Sequence, residues 1–544
     1  MKVIATGTEI QAVDACTINE IGIPSMVLME RAALAVVQVL MDYMEELDLF
    51  GYHYAPTVLV VTEGGNNGGD GLAIARLLSE RGCSVDVYQV GGLKRESEQY
   101  QQQKHILQQL HIDIKEGITT EEMEQWKHSR YDVVVDALFG VGLHREIVSP
   151  QKEVLEALNA LGGLKCAVDM PSGIDSTTGH LYGTAFRADL TVTFGCMKTG
   201  QLLNEGPDYC GDVITADIGF PAVVFEKQSF ACYAYESEEL KCLLPVRKSG
   251  GNKGTFGKVA IVAGSETVCG AALLSAAAAY RTGCGLVKVV THINNREAIQ
   301  EKLPEALLQV YQSAEEAEAM ITEAAGWADC MVLGPGIGTD ETGHRLVSRG
   351  MQAECPVILD ADAITILSEN AAWREQRTAS AGMILTPHMK EMERISGRRI
   401  GDLKQCPWEE ARRFAQENQV ICVMKDAHTV VAVPDEESSY MNLSGNDGMA
   451  TGGSGDVLTG MIAALVAQGL TLSQAAKSGV FLHGLAGDRA SELRGAASML
   501  WSIRQISRGA ASMLAGDIIS GLESVLRDIH HHIEGKQENY HEMV

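Results

Sequence analysis

The chain has 544 residues, 46% of them apolar and 21% charged, and 56 are glycine. That length exceeds one ordinary core and sets an expectation of about two to four domains. With 44 Lys+Arg against 71 Asp+Glu, the formal charge of −27 argues against nucleic acid or an anionic membrane as a general partner. Thirteen cysteines with no CxxC pair read as reduced thiols rather than a disulfide frame or zinc site. The longest apolar run, near Cys269–Tyr280, is too short to span a bilayer. The opening MKVIATGTEIQAVDAC lacks the apolar stretch of a signal peptide, so the expected location is the cytoplasm.

Residues 7–47 read as helices, with SMVLMERAALAVVQVL (25–40) apolar at helical spacing. TVLVV (57–61) reads as a buried strand, followed by a glycine loop, a helix and the strand SVDVYQV. This is a βαβ unit, hence a parallel sheet with a right-handed crossover. Further strands are expected in YDVVVDALFG (131–140), KCAVDM (165–170), DLTVTFG (189–195) and DVITADIG (212–219). GGNNGGDG (64–71) does not fit GxGxxG, so a standard NAD-dependent dehydrogenase is not supported. The loop still sets amides and two carboxamides, Asn66 and Asn67, at a strand end; the plainer alternative is an Asn/Gly turn capped by Asp70. Three more strand-end loops carry polar residues: DALFGVGLHRE (136–146), DMPSGID (169–175) and TFGCMKTG (193–200). Four such loops at one sheet edge are what a pocket requires.

The periodicity lapses near 221–250, and the boundary is expected between 222 and 238, giving domains 1–225 and 236–535. The second domain opens with KGTFGKVAIVAGS (253–265). KGTFGK fails the Walker pattern, since Asn252 stands for its first glycine and Val259 for its Ser/Thr. Helix CGAALLSAAAAYRTG and strands LVKVV, ADCMVLGPGIG and PVILDADA follow, then MILTPHMKEMERI and VICVMKDAHTVVAV. The most informative stretch is GNDGMATGGSGDVLTG (445–460), where five glycines precede Asp456 and an apolar helical run. Such a turn admits a close ligand, and the helix N–H groups behind it favour an anion. Asp456 is therefore either an N-cap or an acid/base beside a phosphate cradle. His483 and Asp488 in FLHGLAGD favour the second reading.

GMATGGSGDVLTG resembles the signature of the ribokinase-like NAD(P)HX dehydratases, and the residues before 230 resemble the NAD(P)HX epimerases. Together they resemble the bifunctional hydrate repair family over nearly the whole chain. The resemblance implies two three-layer α/β/α domains, Rossmann-like and then ribokinase-like. It implies epimerisation of the R and S hydrates of NADH and NADPH, and dehydration of the S form with ADP or ATP. By matching position, Asn66, Asn67, Gly68, Gly69, Asp70, Gly140, Val141, Gly142, Leu143, His144, Arg145, Glu146 and Asp169 would contact the hydrate in the first domain. Asn67, Asp136 and Ser172 would hold K⁺, and Asp169 with Lys198 is the proposed catalytic pair, although Lys198 also fits a solvated surface lysine. Arg31 stands where the family more often has asparagine. In the second domain Ala272, Gly338, His388 and Asp456 match hydrate contacts. Each of the first three also has a plain structural reading: helix core, turn and satisfied polar residue. Lys425, Asp426, Ala427, His428, Thr429 and Gly455 match adenylate contacts, and Mg²⁺ would accompany the nucleotide. Asp456 would take the proton of a ring hydroxyl that attacks the terminal phosphate. The expected partners are these small molecules and a second copy of the chain, with no nucleic acid or membrane.

A second reading is a small-molecule kinase of the ribokinase superfamily with an accessory Rossmann-like binding domain, since GGSGD resembles GAGD-type kinase loops. A third, a non-catalytic binding protein, gives no reason for Asp456. One feature lies outside the family pattern. RGAASML occurs at 494–500 and again at 508–514, a period too short for a solenoid repeat. The second copy is expected to take the place against the core. The tail HHHIEGKQENYHEMV reads as solvated.

Overall fold

Val58, Leu59, Val60 and Val61 have no exposed surface, and neither do Val133, Val134 and Val135. Runs buried on both faces belong to parallel strands covered by helices on each side. The computed structural model describes residues 1–50, 55–91, 96–245, 247, 249–370, 372–376, 382–494 and 512–541. The chain divides into two compact units, Val3–Ala231 and Met1–Lys2 with Cys232–Val544.

In the first unit seven parallel strands lie in the order Ile114–Glu116, Ser84–Gln89, Thr57–Thr62, Val133–Ala137, Leu164–Val168, Leu190–Phe194, Asp212–Ala216. Numbered along the chain this is 3-2-1-4-5-6-7, the doubly wound order with one added strand. The connections reverse direction between Thr57–Thr62 and Val133–Ala137, so helices fall on both faces. Helix Ser25–Glu46 buries a stripe from Leu28 through Val36 and Leu40 to Met44, as its periodicity indicated. The helices expected over 7–47 are separate: Gly7–Cys16 passes into a wide turn, Thr17–Ile21, that ends at Gly22 with φ 87°, before Ser25–Glu46 begins. Strand Ile114–Glu116 was absent from the sequence reading, being three residues long with two exposed. A short parallel pairing sets Ile4 beside Met197 and Ala5 beside Lys198.

The second unit repeats the plan. Its order is Leu307–Tyr311, Leu286–His292, Lys258–Val262, Cys330–Leu333, Val357–Leu359, Met383–Leu385, Ile421–Met424, Val430–Ala432, Ser439–Met441, Cys232–Ala234. All pairings are parallel except those of Val430–Ala432 with its two neighbours. Again the direction reverses between Lys258–Val262 and Cys330–Leu333. Helices Gly270–Arg281 and Ser454–Ala467 pack closely, and a Cβ on Gly460 would lie 2.1 Å from the Ser275 carbonyl oxygen. Only glycine permits that approach.

Residues 495–511 lie outside the described residues, and with them all of the first RGAASML after Arg494 and the start of the second. Of the second copy, Met513 is 4% exposed and belongs to the apolar core, while Leu514 is exposed. No helix among the described residues is long and apolar enough to cross a membrane.

Candidate active sites at the strand ends

At a sheet reversal the strand-end loops part and leave a crevice. In the first unit a cavity of about 800 Å³ occupies it. Its wall takes Asn66, Asn67 and Asp70 from the first turns of helix Asn66–Glu80, Gly140 through Arg145 from the next strand-end loop, then Asp169 and Lys198. All four expected loops therefore meet. Gly68 and Gly69 lie beneath the wall, and a Cβ on Gly68 would lie 1.7 Å from the Glu63 carbonyl oxygen. Glu146 is exposed and outside the wall.

Asp169 has φ 65°, a left-handed conformation that costs about 1–2 kcal/mol. Its Oδ1 accepts hydrogen bonds from Lys198 Nζ at 2.5 Å, Phe194 N–H at 3.0 Å and Thr193 Oγ1 at 3.2 Å. Lys198 has no exposed surface, and its ammonium also donates to Thr193 Oγ1 and the Phe194 carbonyl. The reading of Lys198 as a solvated surface lysine is thereby excluded. Asp14, on helix Gly7–Cys16, lines the same cavity and carried no motif. Burial, then the Asp169 charge, raises the Asp14 carboxyl above its usual range. Burial, then Asp169 and Asp14, holds Asp70 well above its own. Arg31 lies across the closing segment: a Cβ on Gly219 would lie 1.9 Å from its Nη1, next to Phe220 of the cavity wall.

Asp136 and Ser172 are joined behind the wall. Asp136 accepts from Ser172 Oγ at 2.7 Å, Ser172 N–H at 2.8 Å and Leu138 N–H at 3.2 Å. Burial nevertheless pushes its pKa up to about 6, and among the described residues it makes no ion pair. Asn67 stands against Gly140, and its Nδ2 is buried with no partner. Carboxylate, hydroxyl and carboxamide oxygens suit a hard, weakly held cation, and a monovalent ion would supply the missing counter-charge. The residues fit K⁺.

In the second unit three strand-end loops and one helix N-terminus converge. Lys425 Nζ lies 2.6 Å from Asp360 Oδ1. A Cβ on Gly455 would lie 3.2 Å from that same Nζ and 3.6 Å from Asp360 Oδ2. Helix Ser454–Ala467 has Gly453, φ 93°, at its cap position, and Asp456 falls in the first turn. Asp456 is therefore not the N-cap. Burial first, then Asp360, pushes its pKa up to about 7; Lys425 opposes the rise and Asp362 adds to it. Asp360 and Asp362 flank Ala361, which has φ 52°. Both acids sit in a segment read only as a strand end, although paired carboxylates at that edge were a usable signal. Gly338, φ 82°, donates its N–H to Asp362 Oδ2 at 2.9 Å.

Three of the expected contacts also have structural tasks here. Ala272 has no exposed surface and packs in the apolar core, where helix packing takes up its methyl. His388 caps helix Met389–Ser396, its Nδ1 accepting from the N–H groups of Lys390 and Glu391 at 3.1 and 3.2 Å. Burial and Lys425 lower its pKa. The KDAHT segment is a turn between antiparallel strands, and of its residues only Lys425 is drawn to Gly455. Asp426 pairs with Lys404 at 3.2 Å, His428 Nδ1 lies 3.0 Å from the Asn442 carbonyl, Thr429 Oγ1 donates to the Asp426 carbonyl, and Ala427 is exposed.

The HGLAGD residues brace the glycine loop. His483 Nε2–H donates to the Ser454 carbonyl at 3.0 Å, and burial lowers this histidine to about 4. Asp488 accepts from Gly445 N–H at 2.9 Å and Asn446 Nδ2 at 3.0 Å. Among the described residues no group of three or more His, Cys, Asp or Glu is arranged to hold a metal ion.

Residues 25–200 match the family model described as YjeF-related protein N-terminus, and residues 259–508 match that of NAD(P)H-hydrate dehydratase. The bifunctional NAD(P)H-hydrate repair enzyme Nnr of Thermofilum pendens is 35% identical over 90% of this chain and 93% of its own length. The chain belongs to the bifunctional NAD(P)H-hydrate repair enzymes. Its similarity to the Moorella thermoacetica member is 32% identity over 98% of both chains. The crystal structure of the ADP/ATP-dependent NAD(P)H-hydrate dehydratase from Bacillus subtilis with ATP/Mg²⁺ matches 54% of this chain and 98% of its own, at 29% identity and TM-score 0.45. The two family matches fall one on each unit, around the cavity at Asp169 and the glycine loop at Asp456.

Proposed function

We propose that the unit Val3–Ala231 epimerises the R and S hydrates of NADH and NADPH, and that the unit beginning at Cys232 dehydrates the S hydrate with ADP or ATP. The observation that carries this reading is Asp456. A carboxyl with a pKa pushed up to about 7 stands at the N-terminus of a helix entered through a glycine loop. A base poised near neutrality removes a proton where amides receive a phosphate. The first site supports the other half, since a plain kinase has no use for a second cavity with its own acids.

In the dehydratase site the ring hydroxyl gives its proton to Asp456, and its oxygen attacks the terminal phosphorus. The N–H groups of Gly453 through Gly455 stabilise the transferring phosphoryl as its bond to the nucleotide's bridging oxygen breaks and the nucleotide, one phosphate shorter, departs; the C–O bond of the new ester then breaks with its electron pair on phosphate, and the neighbouring ring carbon gives up a proton to solvent, which restores the double bond. Lys425, held by Asp360, sets a positive charge beside Gly455. Asp360, beside Lys425, and Asp362 are carboxylates that could hold Mg²⁺ brought by the nucleotide, and the ion would neutralise phosphate charge there. In the epimerase site Asp169 is the acid/base, oriented by Lys198, and the loops of Asn66–Asp70 and Gly140–Arg145 hold the hydrate. Asn67, Asp136 and Ser172 would hold K⁺, which would supply fixed positive charge behind those loops. Thirteen scattered cysteines with no CxxC pair support a reducing compartment, the cytoplasm.

The test is to incubate the full chain with chemically hydrated NADH and ADP and follow nicotinamide absorbance. Complete recovery from a mixture of both epimers is expected, since epimerisation feeds the dehydratase. Failure to recover any absorbance with either ADP or ATP sinks the proposal.

A further inference from the structure

The first cavity holds more acid than one epimerising base requires. Asp14 comes from helix Gly7–Cys16, Asp70 from helix Asn66–Glu80 and Asp169 from the end of strand Leu164–Val168, and all three line one space. Their surroundings differ. Asp169 is charge-paired with Lys198 and receives two further hydrogen bonds. Asp14 and Asp70 have neither an ion pair nor a side-chain hydrogen bond among the described residues. The other charged or titratable groups of the wall are His144 and Arg145.

We propose that Asp70 is the proton donor of the epimerase site, that Asp14 acts through it as a positioning charge, and that Asp169 is the complementary proton acceptor. The inference rests on the epimerase reading and adds to it a division of labour. Two carboxyls with opposite tasks need opposite environments. Burial together with the negative charges of Asp169 and Asp14 keeps the proton on Asp70, whereas Asp169 Oδ1 sits 2.5 Å from the Lys198 ammonium and accepts from Phe194 N–H and Thr193 Oγ1.

The reacting carbon of the hydrate bears a hydroxyl and is bonded to the ring nitrogen. Asp70 gives its proton to that hydroxyl, the C–O bond breaks with its electron pair on oxygen, and water leaves. The nitrogen lone pair forms a C=N bond, placing the positive charge on nitrogen. A water molecule then adds to the other face through its oxygen lone pair, the C=N pair returns to nitrogen, and the surplus proton passes to Asp169. One proton enters and one leaves, and nothing is oxidised or reduced. The two carboxyls have exchanged protonation states, so the reverse turnover, or exchange with solvent, restores the first state.

The experiment measures epimerisation of chemically hydrated NADH by the full chain across the pH range, with dehydratase activity of the same molecule as the control for folding. Wild type loses turnover on the alkaline side, where Asp70 gives up its proton. Asp14→Asn removes a neighbouring charge and moves that limb to lower pH by about one unit, with KM little changed; Asp14→Glu restores it. Asp70→Asn lowers kcat by about 10²–10⁴-fold, while Asp70→Glu recovers part of it. An Asp14→Asn limb that coincides with wild type, or an Asp70→Asn turnover equal to wild type, overturns the proposal. A wild-type chain that dehydrates the S hydrate but never interconverts the epimers overturns the epimerase reading itself, and this inference with it.

Discussion

Lys198 Nζ lies 2.5 Å from Asp169 Oδ1 with no surface of its own exposed to solvent. Removing one partner of a buried pair leaves an uncompensated charge, which costs about 3–5 kcal/mol. Lys198→Met is expected to lower the denaturation midpoint of the first unit and to remove epimerase activity, with dehydratase activity kept. Chemical denaturation and the two activity assays check this; unchanged epimerisation would reduce Lys198 to a structural residue.

Asp456 must be ionised to act as a base, and its pKa is pushed up to about 7. Dehydratase turnover should therefore rise as pH increases through about 7 and level off above it. Asp456→Asn should lower turnover by about 10²–10⁴-fold with nucleotide binding retained in calorimetry. The stability effect has the opposite sign. A carboxyl that binds its proton more tightly folded than unfolded makes the fold less stable as pH rises from the unfolded value toward about 7. The variant should match or exceed wild-type thermal stability at alkaline pH, and that gain should vanish in acid.

Asp136 has a pKa pushed up to about 6 by burial, and a cation needs it ionised. Potassium activation of epimerisation should weaken as pH falls through about 6, seen as a rising half-activating concentration. Asp136→Ala should abolish the response, and a variant that still responds to potassium would remove this residue from the ion site.

The two activities should be separable. A chain ending at residue 231, where the first compact unit ends, should interconvert the epimers without any nucleotide, because all four cavity loops precede that point. Chromatographic separation of the epimers over time gives the answer, and a requirement for residues beyond 250 would relocate the first site.

Gly460→Ala places a methyl 2.1 Å from the Ser275 carbonyl oxygen. Overpacking of this kind costs about 1–3 kcal/mol. Each kcal/mol lowers the melting temperature by about 2–4 °C in a domain of this size. Ser275 Oγ also donates to the Asp456 carbonyl at 2.9 Å, so dehydratase turnover should fall along with calorimetric stability.

The local pattern of this sequence determined a great deal. Apolar runs such as Val58–Val61 identify buried parallel strands because a strand covered on both faces has no polar side to alternate. The glycines of 64–71 and 445–455 mark the site loops because close approach and positive φ exclude a Cβ. Tertiary structure decided what depends on distance between segments remote in sequence. Asp14 becomes a cavity residue only when helix Gly7–Cys16 meets the strand-end loops. Lys198 is buried because its ammonium reaches Asp169, Thr193 and Phe194. Asp360 and Asp362 gain their importance from Lys425 and Asp456, which lie 65 and 94 residues further along the chain. Cap or base, solvated or buried, core methyl or ligand contact: Asp456, Lys198 and Ala272 were each left open by their neighbours in sequence. The field and the burial at a side chain are set by everything folded around it, and the sequence on either side supplies only part of that.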